Sequence, residues 1–188
     1  SSQSRGPRGP FRPGDGVGRH SLEAGRGPPI VFVPGILLPA EVGEPQLIHF
    51  AANHRVVALD PRSQGRSEKP TEGHHLVRRG KDIGELIDHL GSEPVVVVGW
   101  SLAVLEILTY ARELGTGSFR GLVLVDMYFG VDEELGKQHP YEADWRPWIA
   151  GLQLDRQDWT GEWVRGSYSS DQTEEYLDAM AQSVLAVP

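Results

Sequence analysis

Four consecutive valines, 95–98, run into Gly99-Trp100-Ser101-Leu102-Ala103, and a helical stretch continues to Leu114. A short, wholly apolar run that ends in a turn reads as a strand covered on both faces. A strand that passes into a helix through so few residues must turn sharply, which forces the serine at the apex into a strained backbone. Small residues are then required two positions to either side, and Gly99 and Ala103 fill those places. Alanine stands where the usual pattern has glycine and is small enough to be tolerated. Ser101 Oγ would be held above the sheet end, with the helix N-terminus beneath it to stabilise negative charge. The alternative is a serine that merely N-caps the helix, a common role for this residue.

Two further strand-and-turn units precede this one. Ile30-Val31-Phe32-Val33 runs into Pro34-Gly35-Ile36, and Val56-Val57-Ala58-Leu59 runs into Asp60-Pro61-Arg62-Ser63-Gln64-Gly65-Arg66-Ser67. With the serine turn, these units resemble the α/β-hydrolase superfamily. In that superfamily one strand ends in His-Gly or a variant, the next in D-x-R-x-x-G-x-S, and a later one feeds G-x-S-x-G. Order, spacing and flanking strands agree from about residue 27 to residue 127. The likeness is greatest to the esterase, lactonase and cofactor-free haloperoxidase branch. The three motifs speak strongly for the fold and more weakly for the substrate.

Length and composition set the outer limits. At 188 residues the chain is long enough for a sizeable core. It has no cysteine, which leaves no disulfide framework, thiolate metal site or catalytic thiol and suits a cytoplasmic location. No apolar run approaches bilayer-spanning length, and the N-terminus lacks a secretory apolar segment, so no membrane association is expected. The net charge of −8 is unevenly placed: residues 131–188 hold twelve Asp or Glu against four Lys or Arg. That excess argues against a nucleic-acid partner and against strongly anionic substrates.

The chain divides into three parts. Residues 1–20, rich in Gly, Pro and Arg, read as a flexible tail with too little apolar surface to offset its ordering entropy. Its Gly14-x-Gly16-x-Gly18 run neither follows a strand nor opens a helix, so no dinucleotide site is expected. Residues 21–130 alternate strand and helix: strands at 30–33, 56–59, 95–98 and 122–125, helices near 45–53, 75–90 and 101–114. Ile83, Leu86, Ile87 and Leu90 fall on one face of the second helix, and Gly91 closes it. This is the pattern of an α/β fold with a doubly wound, mainly parallel sheet. Residues 131–188 carry four of the five tryptophans and three helical stretches, the last opened by an Asp171-Gln172-Thr173-Glu174 capping box. By resemblance this part is a helical cap. Its tryptophans either pack the helices together or line a pocket for an apolar acyl group.

The resemblance also assigns roles. Ser101 is the nucleophile, and the N–H groups of Leu102 and Ile36 form the oxyanion hole. Asp126, directly after the fourth of these strands, is the candidate acid; it serves equally well as a structural cap of the following turn. The family histidine comes last in the chain, after a further strand, and none of the seven histidines occupies that position. His139 is the one substitute worth weighing. No metal-ligand pattern is present among the histidines. The expected sheet therefore lacks its last strands, leaving strand 122–125 as an open edge. A longer native protein explains this most simply; a shortened homologue or completion by a second copy through that edge are the alternatives. The functional expectation is a cofactor-free serine hydrolase acting on a small, largely uncharged ester or lactone, with haloperoxidase-like chemistry as a side reaction. The rival is a non-catalytic binding protein of the same fold.

Overall fold

The computed structural model describes residues 8–91, 93–127 and 145–188. The chain forms two compact units, residues 1–127 with 187–188, and residues 128–186.

The first unit is built on a six-stranded sheet in the order β1-β2-β4-β3-β5-β6. The strands are β1 (Arg8–Phe11), β2 (Arg19–Ala24), β3 (Pro29–Val33), β4 (Arg55–Leu59), β5 (Val95–Trp100) and β6 (Phe119–Val125). β3 to β6 run parallel, while β2 is antiparallel to β4 and β1 is antiparallel to β2. The helices of this unit are α1 (Glu44–Phe50), α2 (Leu76–Leu90) and α3 (Leu102–Leu114). The doubly wound α/β expectation holds.

Alternation along β5 explains how the layers assemble. Val95, Val97 and Gly99 are buried and Val96, Val98 and Trp100 half-buried, so the strand presents two different faces. Val95 and Val97 join Val31, Val33, Val57 and Leu59 in a core closed by Ile83, Leu86 and Ile87 of α2 and by Ala103 and Ile107 of α3. Leu90, the fourth residue of the expected α2 face, packs at the margin of this core. On β6, the last strand of the sheet, Val123 and Val125 are exposed.

Register brings the functional ends of the strands level. Val33 pairs with Gly99, and Trp100 pairs with Val125. The segments that follow β3, β5 and β6 therefore leave the sheet side by side, at the carboxyl ends where open α/β sheets place their sites.

The N-terminal segment departs from the sequence expectation. Residues 8–20, read as part of a flexible tail, form β1, a turn and the start of β2. Ion pairs hold this segment in place of apolar burial. Asp15 accepts from Arg19 and Arg62, Arg12 pairs with Glu68, and fully buried Arg19 reaches Asp82. Phe11 adds a stacked contact to His89, centroids 5.2 Å apart. With β1 outside it, β2 is an interior strand.

In the second unit the described helices are α4 (Trp145–Leu154), α5 (Arg156–Gly166) and α6 (Glu174–Leu185). Trp148 meets Trp159 edge-on at 5.2 Å, and Trp159 stacks on Trp163 at 5.8 Å. These three rings pack against one another, the first of the two roles open to them. Leu177, Met180, Ala181 and Val184 form the buried face of α6, as their spacing implies. Its N-cap is Thr173, which accepts from Tyr176 N–H at 3.2 Å, and not Asp171. Both residue types can cap, and the helix starts two residues later than the capping-box pattern suggests.

Candidate active site

Ser101 stands between β5 and α3 with φ 55° and ψ −124°. A non-glycine residue there costs about 1–3 kcal/mol and persists only where its surroundings impose it. Two backbone bonds do so. Ser101 N–H donates to Val125 C=O at 2.9 Å, tying the turn to β6, and Ser101 C=O accepts from Val104 N–H at 2.9 Å, starting the helix. The serine hydroxyl makes no capping bond to the helix. The plain N-cap reading is therefore not what the geometry shows.

Gly99 is required by clearance. A β-carbon there would lie 2.3 Å from Ile107 Cδ1 and 3.3 Å from the Ala103 carbonyl. The fully buried methyl of Ala103 fits where the common pattern has glycine. Gly35, from the turn after β3, approaches the serine directly: a β-carbon on it would stand 3.2 Å from Ser101 Cβ and 3.7 Å from Oγ.

Ile36 follows Gly35, and its N–H has no acceptor among the described residues. Leu102 N–H opens α3, where the first amides of a helix lack intrahelical acceptors. Asp126 follows β6 at φ 53° and is exposed. Because Trp100 pairs with Val125, Ser101 and Asp126 are the next residues on neighbouring strands. Among the described residues, no side chain hydrogen-bonds to Ser101 Oγ or to the Asp126 carboxylate. The structure thus brings Ser101, Leu102, the Gly35-Ile36 turn and Asp126 to one end of the sheet. A cavity of about 380 Å³ with mostly apolar walls runs past Pro34 and Trp100, the neighbours of Gly35 and Ser101, without Ser101 itself in its wall.

The turn after β4 supports this end of the sheet. Asp60, fully buried, accepts from Ala40 N–H at 2.6 Å and Arg66 N–H at 3.0 Å, and pairs with His20 Nδ1 at 2.7 Å. Gln64 is also buried and donates through Nε2 to the carbonyls of Gly35, at 3.0 Å, and Leu38, at 2.7 Å. Its Oε1 accepts from Arg79 Nη2 at 3.1 Å, and Arg79 Nε in turn pairs with Glu106 on α3. Burial pushes the Glu106 carboxyl above its ordinary range, and the Arg79 charge acts in the opposite direction. The sequence motif contained Asp60 and Gln64, but nothing in it marked the His20 partnership or the reach of Gln64 to residue 35.

Each of the six described histidines is engaged elsewhere. His20 sits on Asp60, and His74 Nε2 on Ser63 Oγ at 2.7 Å. His75 accepts from Arg78 N–H at the start of α2, and His89 stacks on Phe11. His49 and His54 flank Phe50. His139 lies outside the described residues. Among the described residues no cluster of three His, Asp or Glu could hold a metal, and no helix is long and apolar enough to cross a membrane.

A serine in a strained strand-to-helix turn, with a glycine turn of a neighbouring strand against it, defines a class of protein, and comparison by sequence agrees. Residues 28–164 match the alpha/beta hydrolase fold family, and the chain belongs to that family. It is 34% identical over 121 residues to 2-(acetamidomethylene)succinate hydrolase of Mesorhizobium japonicum, covering 63% of this chain and 43% of that protein. It is 32% identical over 100 residues to a non-heme chloroperoxidase of Streptomyces lividans, covering 53% of this chain and 36% of the other. The match thus spans less than half the length of each of these two relatives. In fold it resembles an esterase from Exiguobacterium antarcticum, with TM-score 0.79, 20% identity, and coverage of 96% of this chain and 73% of the esterase.

Proposed function

We propose that this chain carries the nucleophile, the oxyanion donors and the acid of a serine hydrolase that cleaves a small, largely uncharged ester or lactone. Ser101 Oγ attacks the carbonyl carbon and passes its proton to a base. The carbonyl oxygen takes up the electron pair and is held by Ile36 and Leu102 N–H. Collapse of this intermediate expels the alcohol and leaves an acyl group on Ser101, which water then removes. Asp126 orients the base, a histidine supplied from outside the described residues. The scheme calls on no cofactor.

The observation that carries this reading is the strained Ser101, with its hydroxyl uncommitted and the Gly35 turn so near that a β-carbon on Gly35 would stand 3.7 Å from Oγ. A serine needed only to cap α3 would adopt ordinary extended backbone and bond to the helix. The relatives named hydrolase, chloroperoxidase and esterase support the class of chemistry. The apolar cavity beside Pro34 and Trp100 supports an uncharged substrate. Exposed Val123 and Val125 on the outermost strand β6 support pairing of that edge, by further chain or by a second copy.

The test is hydrolysis of chromogenic acetate and butyrate esters and of a simple lactone by the full-length protein and by Ser101→Ala. The expected result is turnover by the first that falls in Ser101→Ala to the residue left by the oxyanion hole and binding, about 10³–10⁴-fold over water. Equal turnover by both would overturn the proposal.

A further inference from the structure

Gln64 is buried between the turn after β4 and the turn after β3, and its side chain bonds one to the other. Its Nε2 donates to Gly35 C=O at 3.0 Å and to Leu38 C=O at 2.7 Å, so one amide group spans both ends of the Gly35–Leu38 loop. Leu38 N–H also approaches Gly35 C=O, at 3.4 Å. Inside that loop Leu37 sits at φ 68°, a conformation that leucine does not hold unaided. The loop therefore depends on external bonds, and Gln64 supplies two of them.

The peptide plane makes this bond pattern specific. The Gly35–Ile36 peptide is trans, so its C=O and its N–H point in opposite directions from one rigid plane. Fixing Gly35 C=O on Gln64 fixes the direction of Ile36 N–H on the other side. Gln64 is itself held: Arg79 Nη2 donates to its Oε1 at 3.1 Å, which orients the amide so that its NH₂ faces the loop. Arg79 also donates to Arg62 C=O at 3.1 Å and pairs with Glu106, one turn into the helix that Leu102 opens. A continuous buried chain thus runs from α3 through Glu106, Arg79 and Gln64 to the peptide before Ile36.

We propose that Gln64 is the positioning residue of the oxyanion hole: it aims Ile36 N–H, and through Arg79 and Glu106 it keeps that donor in register with the one at the start of α3. This rests on the serine-hydrolase reading above. Gln64 touches no reacting atom. Its effect falls on the transition state, where the oxyanion develops, and spares ground-state binding.

The test uses the full-length protein with Gln64→Met, which keeps length and volume but cannot donate, alongside Gln64→Glu, which keeps the acceptor for Arg79 but also cannot donate to the two carbonyls. Chromogenic-ester kinetics are read together with amide hydrogen exchange across residues 35–38. The expected result is a kcat about 10- to 100-fold lower with KM within a factor of two, together with faster exchange confined to that loop; loss of one oxyanion donor sets the upper end of the effect. Should Gln64→Met fail to fold, Gln64→Glu carries the same comparison. Unchanged kcat in either folded variant, while Ser101→Ala abolishes turnover, overturns the role of Gln64 and leaves the serine reading standing. Turnover unaffected by Ser101→Ala overturns both. A rise in KM at constant kcat also overturns the proposal, since it would assign Gln64 to substrate binding.

Discussion

Gly35 and Ser101 meet across two strand ends so closely that a β-carbon on Gly35 would stand 3.2 Å from Ser101 Cβ and 3.7 Å from Oγ. The pair joins the turn after β3 to the turn after β5. It also links two motifs 66 residues apart in the chain.

Gly35→Ala follows directly from that contact. The glycine does not occupy the left-handed region, so alanine adds a methyl group without backbone strain. The serine must then give way by a few tenths of an ångström. The expected outcome is a fall in ester turnover approaching about a hundredfold, with little change in melting temperature, because misplacement near reacting atoms costs rate more than stability. Steady-state kinetics and a thermal melt on the same preparation check it; a large loss of stability with normal kcat would contradict it.

At Gly99 the same substitution acts on stability. Its methyl would fall 2.3 Å from Ile107 Cδ1, in the packed seam between β5 and α3. Gly99→Ala is expected to cost about 1–3 kcal/mol by overpacking. Denaturant unfolding measures this.

Asp126 is at φ 53°, where asparagine sits comfortably. Asp126→Asn should therefore leave the melting temperature nearly unchanged. If the carboxylate orients the catalytic base, kcat falls by about 10⁴-fold, the scale set by the same exchange in a serine protease triad. Normal turnover by Asp126→Asn would move the acid elsewhere in the protein.

The N-terminal ion pairs give a pH dependence of known sign. The Arg19 guanidinium, and after it Arg62, hold the Asp15 carboxyl well below its ordinary value. A carboxylate whose pKa is lower folded than unfolded adds stability that is complete above the unfolded value of about 3.9 and is lost as the pH falls through the folded one. Asp15→Asn should be less stable than the parent at pH 7, with the gap closing below about pH 4. Melting temperatures at both ends of that range decide the matter; a gap of constant size would remove Asp15 from the account.

Local patterns revealed much of this fold and stopped where contacts became long-range. The strand runs at Ile30, Val56, Val95 and Leu122 were legible because burial on both faces leaves an apolar signature. The turn at Ser101 was legible because steric demands confine Gly99 and Ala103 to small residues. Gln64 and His20 gave no such signal. Their roles arise from partners 29 and 40 residues away, Gly35 and Asp60 respectively, that only the folded sheet brings near. The ordering of residues 8–20 was hidden for the same reason: Asp15 and Arg12 are held by Arg62 and Glu68, and composition alone records only their polarity. Thr173 and Asp171 are both competent caps, so local chemistry did not separate them.

The central claim, that Ser101 takes the acyl group, is tested most directly by trapping. Full-length protein is mixed with an activated ester, quenched with acid during the pre-steady-state burst, digested, and mapped by mass spectrometry. The account predicts an acyl adduct on the peptide containing Ser101, formed within the burst and absent from Ser101→Ala. Turnover that proceeds with no adduct on Ser101, at a rate unchanged in Ser101→Ala, would contradict it.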